Sequence, residues 1–199
     1  MQQTHARKLA TPAQAYLALY RALRTTGAFR KAKQSGSLSL QLQERLMLAV
    51  TEVNGCALCS YGHSRMALEA GLSGQEIEDM LGGQTDGAPK EELPAILFAQ
   101  HYADTRGKPT AAAWAQLVSR YGEPQAAGML GAIRMITVGN TWGIPAGSLL
   151  ARLTKKEKYH IDPRSNVGYE LAMLLLLLPF LLVAMLQALG AAALRRPLI

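Results

Sequence analysis

Apolar positions recur at helical spacing along most of the chain. Thr11 and Pro12 supply an N-cap followed by a first-turn proline, and Tyr16, Leu19, Tyr20 and Leu23 then repeat every three or four residues until Gly27. This predicts a first amphipathic helix, with the basic, Ser/Gly-containing stretch from Phe29 to Ser39 as a connection. Ser39 caps a second helix to about Val53. Leu42, Leu46, Ala49, Val50 and Val53 form one stripe and Met47, Leu48 and Thr51 lie opposite, so this helix is apolar nearly all round and should be buried. After the Asn54-Gly55 break a third helix should run from near Cys56 to about Ala70, stopped by Gly71. Ser73 and Glu76 form a capping box that opens a short helix closed by Gly82-Gly83. A loop at 85–90 precedes three more helices, Pro94 to Arg106, Thr110 to Tyr121 and Pro124 to Thr141. No alternating run of β-branched residues appears. The fold class predicted is all-α.

The C-terminal pattern is different. From Leu171 to Leu194 there are 24 consecutive uncharged residues. As a helix they would extend roughly 36 Å at about 1.5 Å per residue, enough for a hydrocarbon core of about 30 Å. Pro179 kinks such a span without excluding it, since lipid-embedded helices tolerate proline. A buried core helix is the alternative, and it would need cover on all sides. The expected organisation is an N-terminal tail at 1–10, a helical domain at 11–153, a basic juxtamembrane linker at 154–169, a membrane-spanning helix at 170–194 and a tail at 195–199. Lys155, Lys156, Lys158 and Arg164 precede the span and only Arg195 and Arg196 follow it. That bias puts the large N-terminal part on the cytoplasmic side of a single-pass membrane protein.

Charge sharpens this picture. The formal net charge is +7, and the whole excess precedes Glu44, in Arg7, Lys8, Arg21, Arg24, Arg30, Lys31 and Lys33. A basic segment of this kind seeks an anionic neighbour, nucleic acid or a lipid surface, and an organelle transit peptide has a similar composition. Aromatic residues are only 6% of the chain, few for nucleic-acid platforms, so no nucleic-acid partner is expected. Trp114 and Trp142 read as packing anchors. The missing apolar segment near the N-terminus argues against a cleaved secretory signal.

One constellation asks for chemistry. Cys56, Cys59 and His63 advance by three and then four residues, so two sulfurs and an imidazole share one helical face. Residues at i and i+3 of a helix have Cα atoms roughly 5 Å apart, within disulfide range. A helix starting after Gly55 points free N–H groups at Cys56, and an adjacent imidazole stabilises a Cys59 thiolate, which is what a nucleophilic thiol needs. Glu44, on the preceding helix, either orients His63 in a Glu-His-Cys relay or is a surface carboxylate beside Arg45. Glu52 reads as structural. Zinc is a rival reading of Cys56, Cys59 and His63, but no second Cys-x-x-Cys exists. His5, His101 and His160 show no ligand spacing, so neither metal nor cofactor is expected.

The stretch from Glu44 through Val53-Asn54-Gly55-Cys56-Ala57-Leu58-Cys59-Ser60-Tyr61-Gly62-His63, followed by Ala67 to Ser73, resembles the core of the alkylhydroperoxidase AhpD-like, carboxymuconolactone decarboxylase superfamily. Asn140-Thr141-Trp142 is similar to a weaker motif late in that fold. The resemblance implies an all-α fold that forms homo-oligomers and acts as a thiol peroxidase or disulfide reductase. By that similarity Cys59 is the peroxidatic cysteine and Cys56 the resolving one. Glu44 and His63 form the proton relay, a hydroperoxide is the substrate, and a dithiol partner of lipoyl or thioredoxin type is the reductant. The best-known peroxidases carry histidine where Leu58 stands here, so the relay would use water or Tyr61. A membrane-tethered disulfide reductase without peroxidase activity and a zinc-binding interaction module are the alternatives.

Overall fold

The computed structural model describes residues 8–154, 156, 159–194 and 197–198. Most of the expected N-terminal tail lies outside these residues, as do Lys155, Lys158, Arg195 and Arg196. Among the described residues there are eight helices and no strand: α1 (Pro12–Gln34), α2 (Leu40–Asn54), α3 (Ala57–Glu69), α4 (Gly74–Leu81), α5 (Leu93–Asp104), α6 (Ala111–Tyr121), α7 (Glu123–Thr154) and α8 (Val167–Ala193). The all-α class is therefore as expected.

Local chemistry sets most of the boundaries. Thr11 and Gln14 form a reciprocal capping box at the start of α1. Ser39 accepts from the Leu42 N–H, and Gly55 ends α2 in the left-handed region at φ 69°. At α4 only half of the expected box forms. Ser73 caps the Glu76 N–H at 3.1 Å, while the Glu76 side chain turns away to bind Arg45 at 2.7 Å.

Two helices outrun their sequence signals. α1 continues through Gly27 to Gln34, because Phe29 and Ala32 pack on Gly128 and Gly131 of α7. A Cβ at Gly131 would come within 2.6 Å of the Phe29 Cβ, and one at Gly128 would overlap Ala32. That close crossing holds the segment expected as a connection in helical form. α7 likewise passes Thr141 and runs through the buried Pro145 to Thr154. Its residues Trp142, Gly147, Ser148 and Ala151 are buried against neighbouring helices. Packing outweighs the hydrogen bond that Pro145 cannot donate.

α2 lies at the centre of the principal core. Every residue from Leu42 to Thr51 is buried, packed on α5 and α7 with Ile96, Ala99, Met129 and Ile133. α8 builds a second cluster with α1 and α7. The Trp142 Nε1 donates to the Met173 carbonyl at 3.2 Å, Tyr16 meets Phe180 edge-on, and the Tyr16 hydroxyl donates to Gln187 at 2.6 Å. α8 is the one described helix long and apolar enough to cross a membrane. Its alanine face, Ala184, Ala188 and Ala191, is buried, whereas Leu171, Leu175, Leu178, Leu182, Leu186 and Leu189 form an exposed stripe.

Candidate functional site

The site grows out of the α2–α3 junction. Gly55 reverses the chain so that Cys56 becomes the N-cap of α3, where its Sγ accepts the Cys59 N–H at 3.3 Å. This sulfur therefore sits on the free N–H end of a helix, the position that favours a thiolate. Cys56 and Cys59 are joined in a disulfide, with their Cα atoms 5.3 Å apart. Cys56 is fully buried and Cys59 is partly exposed.

Glu44 is completely buried on α2, so the surface alternative for this residue does not hold. Its Oε2 lies 2.8 Å from the His63 Nδ1, across the contact between α2 and α3. Its Oε1 accepts from the Gln43 Nε2 at 2.9 Å. With Nδ1 engaged, the imidazole turns its Nε2 to the other side, one helical turn beyond Cys59. A buried carboxylate held at both oxygens fixes the orientation of the ring. Tyr61 is about half exposed on α3, and Leu58 packs on Gly147 of α7. Among the described residues no three His, Cys, Asp or Glu side chains come together as a metal site.

Several contributors carry no motif signal. Gln43 is buried, holds Glu44 and finds no hydrogen-bond partner for its own Oε1 among the described residues. Gly143 brings α7 directly over the sulfurs. A Cβ there would lie 2.7 Å from the Cys59 Sγ and 3.0 Å from the Cys56 Sγ. Asn140, part of the weak late motif, is buried. It accepts from the Thr51 hydroxyl at 3.2 Å and donates to the Val50 carbonyl at 3.4 Å, tying α7 to α2.

Arg164, expected as a flanking charge, also has a local task. It pairs with Asp162 at 2.6 Å and donates to the carbonyls of Asn54 and Gly55, the two residues before Cys56. Burial works against the Asp162 carboxylate, but hydrogen bonds from the Arg164 side chain and backbone outweigh it and hold its pKa below the ordinary value. Arg45, beside Glu44 in sequence, faces away from the thiols and binds both Glu76 and Glu92. Burial alone would depress its pKa, yet the bond to Glu76 and the two carboxylate charges raise it. For Glu92 burial prevails over Arg45, and its pKa lies above normal.

Residues 17–88 match the carboxymuconolactone decarboxylase family. The matched segment contains Glu44, Cys56, Cys59 and His63, and it bears out the family resemblance. No curated protein and no solved structure matches the chain.

Proposed function

We propose that the protein is a membrane-associated thiol peroxidase that reduces hydroperoxides. The observation that carries this reading is the buried Glu44 bound to His63 one turn beyond a Cys59 that is itself bonded to a buried Cys56. In the reduced protein, His63 takes the Cys59 proton while Glu44 stabilises the resulting imidazolium. The thiolate attacks the distal oxygen of ROOH. An S–O bond forms, the O–O bond breaks, and the RO⁻ group leaves as ROH with a proton from His63. Cys56 then attacks the sulfenic sulfur, closing the disulfide and releasing water. A dithiol reductant supplies two electrons and two protons to reopen it.

α8 is the membrane attachment in this reading, with the catalytic helices on the cytoplasmic side in a single-pass arrangement. The exposed Tyr61, Met66 and Leu68 on α3 offer an apolar surface for the homo-oligomer that the family resemblance implies. Leu58 favours the second reading, a disulfide reductase that ignores peroxides.

The test is hydroperoxide consumption by the full-length, detergent-solubilised protein with a dithiol reductant. Cys59→Ser should lose even the first stoichiometric equivalent, and Cys56→Ser should retain that equivalent without turning over. If the wild type reduces an insulin-type disulfide but consumes no peroxide, the reductase reading replaces this one.

A further inference from the structure

A cleft separate from the thiols opens between α1, the end of α5, the middle of α7 and the start of α8. With the solvent open to it, the cleft holds about 750 Å³ of empty space. Five cations line it, Lys8, Arg21, Arg106, Arg134 and Arg164, and no aspartate or glutamate is among the lining residues. Arg164 is engaged by Asp162, whereas Arg21, Arg106 and Arg134 form no ion pair with a carboxylate among the described residues.

Arg134 is the most telling of these. It is 3% exposed, and among the described residues its guanidinium donates to neutral oxygens, the Tyr102 hydroxyl at 3.1 Å and the carbonyls of Arg21 and Leu198. A buried cation without a counter-charge is costly. Burial depresses its pKa, and the neighbouring Arg21 and Arg24 add to the depression, with Tyr102 opposing them.

The adjacent turn is built to keep the cations together. Arg106 is the one described non-glycine residue with positive φ, at 54°, a conformation that costs about 1–2 kcal/mol for a residue with a Cβ. Gly107 follows at φ 77°, and a Cβ there would stand 2.6 Å from the Arg21 Nη1 and 3.1 Å from the Tyr102 Oη. Arg21 in turn donates to the Arg106 carbonyl at 3.4 Å. Strained backbone that draws guanidinium groups around one turn is poor packing chemistry and good anion-binding chemistry. The rest of the wall includes Leu9, Ala10, Ala18, Ala103 and Ile144, so the occupant has an apolar body as well as a negative head.

We infer that this cleft binds a small organic monocarboxylate, its carboxylate held by Arg21, Arg106 and Arg134 and its apolar body against the alanine and leucine wall. The inference does not depend on the thiol chemistry. Its test is isothermal titration calorimetry on the full-length protein in nonionic detergent, with hexanoate, hexanol and inorganic phosphate as probes. Hexanoate should bind one per chain and at least about tenfold more tightly than either of the others. Arg106→Gln and Arg21→Gln should each weaken hexanoate by about tenfold or more. Arg30→Gln removes the same charge from an exposed position on α1 outside the cleft and should change binding by less than about twofold. Hexanol or phosphate binding as tightly as hexanoate, wild-type affinity in Arg106→Gln, or no saturable hexanoate binding at millimolar concentration would each overturn the inference.

Discussion

The two halves of the molecule solve burial in opposite ways. Around α2 and α3 an apolar core also carries polar pairs: Glu44 with His63 and Gln43, Arg45 with Glu76 and Glu92, and Thr51 with Asn140. Along α1, α7 and α8 the close crossings are made by small residues, Gly128 and Gly131 against Ala32 and Phe29, and a face of alanines on α8, with Arg134 and Glu170 as buried charges among them. Small residues give proximity, and hence rigidity, at little cost in solvation. Buried polar groups tolerate only one arrangement, since each unpaired member costs about 1–3 kcal/mol. The first half is therefore where a reaction can be directed, and the second holds it in register. Gly143 belongs to both, a small residue placed on the sulfurs.

The largest break in this contrast should come from Glu44→Gln. It removes the charge that stabilises a protonated His63 while keeping the shape, and should slow Cys59 alkylation and peroxide turnover by about 10²-fold or more. Thermal stability should change far less, and a comparable loss in both would make Glu44 structural. Gly143→Ala comes next. Its Cβ would press on both sulfurs, so stability should fall by about 1–3 kcal/mol and thiol reactivity should fall with it. Gly128→Ala should lower stability by a similar amount of about 1–3 kcal/mol, but leave the alkylation rate of the reduced, folded protein unchanged. A change in that rate would mean the halves are coupled more closely than their packing shows.

Asp162 gives a pH-dependent version of the same test. Its folded pKa lies below the ordinary 3.8, so its contribution is complete above that value and disappears as pH falls through the lower folded one. Asp162→Asn should cost about 1 kcal/mol at neutral pH and flatten the acid limb of the stability curve. High salt should shrink the difference. The smallest effect belongs to Tyr16→Phe. It removes the exposed hydroxyl contact with Gln187 and keeps the ring on Phe180. Chemical denaturation should register a loss of about 0.5–1 kcal/mol.

Elements with strong local punctuation were legible in the sequence: Ser39, Thr11 and Gly55 act where their chemistry says they should. So were the shared face of Cys56, Cys59 and His63 and the buried character of α2. What failed was the reading of Gly27 and Thr141 as limits, because both lie in helices whose ends are fixed by α1–α7 and α3–α7 contacts remote in sequence. The even choice between a buried and an exposed Glu44 shows the same limit. A residue's neighbours along one helix do not reveal what the facing helix presents. Gln43 and Gly143 had no spacing signal at all, for their roles depend on distance to atoms in other elements. The local task of Arg164 was not legible, because its contacts with the Asn54 and Gly55 carbonyls form only in the fold.

The docking of α8 fixes how far the disulfide can stand from a lipid surface. While Trp142, Tyr16 and Arg152 hold the helix along α1 and α7, its leucine stripe is an outer wall of the domain, and the thiols lie within a few helix diameters of whatever that wall touches. With helices about 10 Å across, this is a short and constant working distance. A helix that instead crosses the bilayer alone leaves residues 155–166 as the connection, which reaches at most about 40 Å when extended. The same segment is then a strap in one arrangement and a leash in the other. In the proposed peroxidase, which hydroperoxides the thiols would meet, those lying in the membrane surface or those dissolved above it, would be set by that difference in reach.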